Sequence, residues 1–249
     1  MIKKNSTNES TAALLQVLEC GSTWIRSLAP LASCKGLVTL SLDTNRGITD
    51  LSPLSVCKAL INLNLRDCRV WDLGPLSSCT ALQTLNLYLT QADDLGPLSA
   101  CTGLRTLCCN VLVGDLDPLA KCTALQTLDC CCSQVEDVGP LAACTGLETL
   151  HLSNSAIMDL GPLTACTALQ TLQFDTTRVS DLRPLAACTG LQLLSFRNTL
   201  VVDVAPIAAC TGLTSLYFSK TSVTDLGPLA ACSALRSVHC SCDQVNCWS

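Results

Sequence analysis

Twenty cysteines, two histidines and a row of nine aspartates are the side chains of this 249-residue chain best equipped to ligate a metal, change redox state or move protons. The run Cys130-Cys131-Cys132 invites a metal or redox reading, as does the group His239, Cys240, Cys242 and Cys247 near the C-terminus. Against both stands the absence of any C-x-x-C pair, the usual start of a zinc site. A strand at residue 130 would send Cys130 inward and Cys131 outward, so the three thiols would not converge, although Cys108 and Cys131 would lie on neighbouring repeats. His151 and His239 fall four repeats apart and cannot pair. No phosphate-cradling glycine loop and no nucleophile elbow occurs. The expectation is therefore a chain that is not an enzyme, with no cofactor and no metal.

What positions these residues is a period. Cys34, Cys57, Cys79, Cys101, Cys122, Cys144, Cys166, Cys188, Cys210 and Cys232 follow one another at steps of 21 to 23 residues. All ten prolines share one phase, each four residues before one of these cysteines. The unit from Cys166 to Ala187 has the frame C-T-x-L-x-x-L-x-L-x-x-T-x-V-x-D-L-x-P-L-A-A. It extends back through Leu15, Leu18, Cys20, Ile25, Leu28 and Leu31, and forward through Leu235, Val238, Cys240 and Val245. The chain thus divides into a polar tail, residues 1–11, expected to be disordered, and a repeat domain, residues 12–249, of ten full units and a partial eleventh.

Each unit carries its own fold instructions. The L-x-L alternation is a short strand with leucines inward and the intervening residues outward. The following Val, Leu, Leu and Cys fill the same interior from the other side. One unit cannot bury these alone, so the units must stack, with their strands parallel and about 4.8 Å apart, which gives a sheet roughly 50 Å long. D-L-x-P-L predicts a 3-10 turn on the convex side, with Asp accepting backbone N–H groups at its start and Pro in its first turn. The aspartates Asp50, Asp72, Asp94, Asp115, Asp137, Asp159, Asp181, Asp203 and Asp225 are therefore read as turn caps and not as a cation-binding row. The ladder cysteines are read as small hydrophobes in a core, since ten identical sites in one column imply packing and not pairing. The longer unit containing Gly47 and the shorter one around Val111–Gly114 are expected to distort their loops.

The L-x-x-L-x-L core followed by V-x-D-L-x-P-L resembles the short, 22-residue leucine-rich repeat of internalins and of the nuclear phosphatase regulators. Those families usually carry Leu at the ladder position, and Asn where this chain has Thr90, Ser155, Thr177 or Thr199; Asn45 alone keeps it. Cysteine in that place is similar to large repeat families of parasitic protists. The resemblance implies an α/β leucine-rich-repeat solenoid, with a curved parallel sheet on its concave face and short 3-10 turns on its convex face. It also implies a protein-interaction scaffold, as a regulatory or assembly subunit.

The repeat itself separates stacking from recognition. Positions shared by every unit are those stacking needs, and positions that vary are free to recognise. Two outward columns vary most, one running through Ser41, Asn64, Asn86, Cys108, Asp129, His151, Gln173, Ser195, Tyr217 and His239, the other lying two residues further on. Tyr and Arg are favoured interface anchors. The candidate partner-binding residues are therefore Arg66, Tyr88, Arg197 and Tyr217, with Asn64, Asn86, His151 and Asp175 beside them. Trp24 and Trp71 fall on loops flanking the strands.

Charge and composition narrow the partners. Net charge is −5 with Lys and Arg scattered singly, so a protein partner is expected, with no nucleic acid and no membrane. The N-terminus has no apolar stretch after Lys3-Lys4 and does not read as a secretory signal. Together with so many free thiols, this leads to an expected cytoplasmic or nuclear location. The alternative readings are an internalin-like surface or secreted adhesin, or a fragment of a larger repeat protein. The final unit stops before its D-L-x-P-L turn, so self-association at an uncapped C-terminal edge is also expected.

Overall fold

The computed structural model describes residues 14–109 and 112–240. Eleven three-residue strands form one sheet: β1 (Val17–Glu19), β2 (Thr39–Ser41), β3 (Asn62–Asn64), β4 (Thr84–Asn86), β5 (Thr106–Cys108), β6 (Thr127–Asp129), β7 (Thr149–His151), β8 (Thr171–Gln173), β9 (Leu193–Ser195), β10 (Ser215–Tyr217) and β11 (Ser237–His239). They pair in strict sequence order and all in parallel. Between successive strands lies a five-residue 3-10 helix with Pro in its first turn, Gly161–Ala165 being typical. This is the leucine-rich-repeat solenoid that the resemblance implies, built from the stacked units that the period requires.

The core is a stack of equivalent layers. In one coil Cys144, Leu147, Leu150, Leu152, Ile157, Leu160 and Leu163 are all buried. Burying a Leu or Ile side chain contributes about 1.5–3 kcal/mol, and here that gain exists only because a neighbouring coil covers each layer. In three consecutive coils the layer position that holds Leu or Cys elsewhere holds Phe174, Phe196 and Phe218, whose rings stack at 5.9 and 5.8 Å between centroids. The described cysteines are all free thiols, and every ladder cysteine is buried. The ladder thiols also do something a leucine cannot. From Cys79 onward, each donates its S–H to the carbonyl of the core Leu or Ile in the preceding coil's 3-10 helix, as Cys166 does to Leu141 at 3.3 Å. They are therefore weak inter-coil hydrogen-bond donors as well as packing groups.

The turns behave as the D-L-x-P-L segment predicts. In all nine coils the aspartate Oδ1 accepts the N–H two residues on, from Asp50 with Ser52 at 2.8 Å to Asp225 with Gly227 at 2.8 Å. Register is unbroken where unit length changes, Thr39 facing Asn62 and Thr106 facing Thr127. The extra and missing residues are absorbed in the loops, and residues 110–111 of the shorter unit lie outside the described residues, as do the tail, Cys242, Cys247 and the C-terminal edge.

Asparagine is dispensable in most coils for a visible reason. Asn45 is fully buried, donates to the carbonyls of Leu42 and Cys20, and accepts the Ile25 N–H, so its side chain ties two coils together. At the same position Thr90, Ser155, Thr177 and Thr199 donate only to a carbonyl three residues back in their own coil. There the backbone supplies the inter-coil link, Gln91 N–H to Val70, Ala156 to Val135, Arg178 to Ile157 and Leu200 to Val179.

One feature had no signal in the sequence. Nine of the coils, among the described residues, turn off the strand through a residue with φ near +60°, and none of these is glycine: Ser22, Thr44, Asp67, Leu89, Cys132, Asn154, Thr176, Asn198 and Lys220. In most of them the left-handed geometry aims the residue's own N–H at a carbonyl of the next coil, as Thr176 does to Arg197 at 2.7 Å. Among the described residues no helix is long and apolar enough to cross a membrane.

Candidate functional site

The open face of the sheet is built by pairing alone. Cross-strand register sets Ser41, Asn64, Asn86, Cys108, Asp129, His151, Gln173, Ser195, Tyr217 and His239 in one continuous column. Period-two alternation places Arg66, Tyr88, Cys131, Asp175 and Arg197 in a second column beside it.

The eight candidate residues all lie on this face, and four of them meet in pairs. The Arg66 guanidinium stands 5.2 Å from the Tyr88 ring centroid, and Arg197 stands 4.6 Å from that of Tyr217. Tyr217 in turn stacks flat on His239, with centroids 4.6 Å apart and planes 1° from parallel. The other candidates hold the scaffold in shape. Asn64 Oδ1 accepts the Arg66 N–H at 3.1 Å, and Asn86 Oδ1 accepts the Tyr88 N–H at 3.0 Å. Asp175 Oδ1 accepts the Arg197 N–H at 2.7 Å and the Ser195 hydroxyl at 2.6 Å. Each carboxamide or carboxylate is thus spent on fixing the backbone beneath an anchor, a positioning role that residue type did not reveal.

His151 has a different neighbourhood. Its Nδ1 lies 3.9 Å from Asp129 Oδ2, while Asp129 Oδ1 accepts the Cys131 N–H at 3.0 Å. The His151 ring holds the Asp129 carboxyl down at about 2. Burial, helped by the Asp129 charge, pushes the Cys131 thiol up to about 12. Within the Cys130-Cys131-Cys132 run the expected divergence holds: Cys130 is buried, Cys131 half-buried on the sheet face, Cys132 exposed on the left-handed turn. Of the C-terminal group, Cys240 packs against the core, and Cys242 and Cys247 lie outside the described residues.

A second feature went unnoticed in the sequence. An open depression of about 370 Å³ at the N-terminal end of the solenoid is lined by Ser22, Trp24, Thr44, Arg46 and Asp67. Arg46 grips both Asp67 oxygens through Nε at 3.0 Å, and Trp24 projects beside it, 87% exposed. Trp71 is exposed as well. Arg46 and Asp67 come from neighbouring coils, so only stacking brings them together.

No protein-family model matches the chain, and no curated protein is similar to it in sequence. Solved structures are similar. The functional domain of InlJ from Listeria monocytogenes, which includes a cysteine ladder, superposes with a TM-score of 0.76 at 19% identity, over 97% of this chain and 57% of that one. The internalin C2 of Listeria monocytogenes gives a TM-score of 0.64 at 27% identity, over 84% of this chain and 83% of that one. Toll from Drosophila, in its complex with Spatzle, gives 0.71 at 16% identity, over 91% of this chain and 33% of that one. The chain therefore spans most of the internalin, somewhat over half of the InlJ domain and a third of Toll. A cysteine ladder is thus found in InlJ too.

Proposed function

We propose that this chain is a protein-binding scaffold that takes its partner on the open face of the sheet. Arg66, Tyr88, Arg197 and Tyr217 are the anchors, and Asn64, Asn86, His151 and Asp175 frame them. The observation that carries this reading is the pair of arginine–tyrosine stacks. Arg and Tyr dominate interface energetics when they are held rigid, because little side-chain entropy is then lost on binding. A stacked guanidinium keeps its outer N–H groups for a partner's carboxylate or carbonyl. That Toll is seen in complex with Spatzle supports a protein as the ligand of such a face. The singly scattered basic residues and net charge of −5 favour a protein over a nucleic acid. The Cys131 thiol lies near His151, but burial pushes it up to about 12, which disfavours a thiolate nucleophile and supports a binding role over a catalytic one. Free thiols such as the exposed Cys132 favour a reducing compartment, the cytoplasm or nucleus.

The test is capture from native-cell lysate with mass spectrometry, comparing the wild type with the variant Arg66→Ala, Tyr88→Ala, Arg197→Ala, Tyr217→Ala. A partner retained by the wild type and lost by a correctly folded variant supports the reading. The same partner captured equally by both moves the binding surface off this face.

A further inference from the structure

We propose that Asp129, Cys131 and His151 form a binding site for a divalent transition-metal ion, zinc foremost, on the open face of the sheet. Three different donor types converge there: a carboxylate oxygen, a thiol sulfur and an imidazole nitrogen, all within 4.8 Å of one another. Among the described residues no other three His, Cys, Asp or Glu side chains come together in this way.

The convergence is fixed by the backbone. Asp129 and His151 are direct cross-strand partners on β6 and β7, and Cys131 lies two residues beyond Asp129 on the same face. The Cys131 N–H holds Asp129 Oδ1, leaving Oδ2 turned toward His151. A tetrahedral zinc ion at its usual bond lengths spaces its donors about 3.3–3.5 Å apart. The Asp129 Oδ2 to His151 Nδ1 separation of 3.9 Å reaches that spacing by a small side-chain rotation.

The donor set selects the ion. Sulfur and imidazole nitrogen favour borderline-soft ions such as zinc or cobalt over calcium or magnesium, which take oxygen. A thiolate and a carboxylate together neutralise the double positive charge. Binding forms a metal–sulfur bond and releases the Cys131 thiol proton to solvent, with no change of oxidation state. Three protein donors leave a fourth position open to water or to a donor from outside the chain. The site shares His151 with the residues that frame the proposed partner-binding face but none of the arginine–tyrosine anchors, and metal binding is read with no partner present, so its failure and that of the partner-binding reading are distinguishable.

The experiment is titration of the reduced 249-residue chain with cobalt(II) in an absorption spectrometer, followed by displacement with zinc(II). Cys242 and Cys247 are replaced by serine in every sample so that C-terminal thiols do not contribute. One equivalent of cobalt is expected, with a thiolate-to-cobalt charge-transfer band and the visible bands of four-coordinate cobalt, both removed by zinc. Cys131→Ser is expected to abolish the charge-transfer band, and Asp129→Asn and His151→Gln to weaken binding at least tenfold. Cys132→Ser, on the adjacent turn, is expected to bind as the parent does. Asp129, Cys131 and His151 lie on the open face of the sheet and Cys132 on the turn beside it, and circular dichroism checks that each variant is folded. An absent charge-transfer band, or one that persists unchanged in Cys131→Ser or His151→Gln, overturns the proposal.

Discussion

The guanidinium of Arg197 lies over the ring of Tyr217, 4.6 Å from its centroid, although the two residues belong to different outward columns on neighbouring coils. The contact runs diagonally across the sheet and continues through Tyr217 onto His239. An exposed cation–π pair contributes about 0.5–1 kcal/mol to folding, so Arg197→Ala is expected to leave stability within that margin. Partner affinity should fall far more, by about 2 kcal/mol or beyond, as at an interface anchor. Urea titration and a binding isotherm on the same preparations compare the two effects. Equal small losses in both would make the stack a surface ornament of the fold.

Alkaline pH should unfold this protein early. Burial raises the thiols of Cys57, Cys101, Cys122, Cys166 and Cys210 to about 11, and those of Cys79 and Cys188 to about 12, from an ordinary 9.0. A raised thiol pKa means the folded state keeps its proton where the unfolded chain loses it. The stabilisation is therefore complete below pH 9 and declines as pH climbs from there toward 11–12. Each such thiol costs stability on the order of 1 kcal/mol per pH unit in that window, and neighbouring ladder thiols titrate together. Thermal melts under reducing conditions should show a steep fall in Tm above pH 9. A Tm unchanged up to pH 10.5 contradicts a ladder of buried neutral thiols.

Phe196 is sandwiched between Phe174 and Phe218 and has no solvent exposure. Phe196→Ala should cost about 3–5 kcal/mol, because the stacked coils on either side cannot collapse into the cavity. Phe196→Leu, the residue that Leu42, Leu65, Leu87 and Leu152 place at this position, should cost no more than about 1.5 kcal/mol. Denaturant titration of both variants checks the ratio.

Leu89 holds φ of +60° with a side chain 47% exposed. A left-handed non-glycine residue costs about 1–2 kcal/mol, and glycine's extra chain entropy returns about 0.5–1 kcal/mol of that. Leu89→Gly should therefore stabilise the protein by about 0.5–1 kcal/mol, a rare gain from deleting a side chain. A loss of stability would show that Leu89 packs more tightly than its exposure indicates.

Removing one turn cap should be felt locally. Asp159 Oδ1 accepts the Gly161 N–H at 2.7 Å, and Asp159→Ala leaves that group to water. The expected loss is about 1 kcal/mol. Asp159→Asn, which keeps an acceptor oxygen, should recover most of it in the same urea titration.

The stacking, the inward and outward faces, the 3-10 turn and the role of the aspartates can all be read from the order of residues alone. Each of these is a local pattern of one or two turns, and ten repetitions make it unmistakable. That order also placed Arg66, Tyr88, Arg197 and Tyr217 outward, because period two follows directly from the strand. Only the tertiary structure decided which outward residues meet. Arg66 reaches Tyr88 along one column, whereas Arg197 crosses to the other column to reach Tyr217. Asp129, Cys131 and His151 converge although His151 is 20 residues from Cys131 in the chain. Arg46 finds Asp67 across a coil boundary. Such meetings depend on side-chain rotamers and on the lateral offset between coils, and a repeat frame encodes neither. The left-handed turn residues were hidden for the same kind of reason: in most of them a hydrogen bond to the next coil holds the conformation, and so it needs no glycine to announce it.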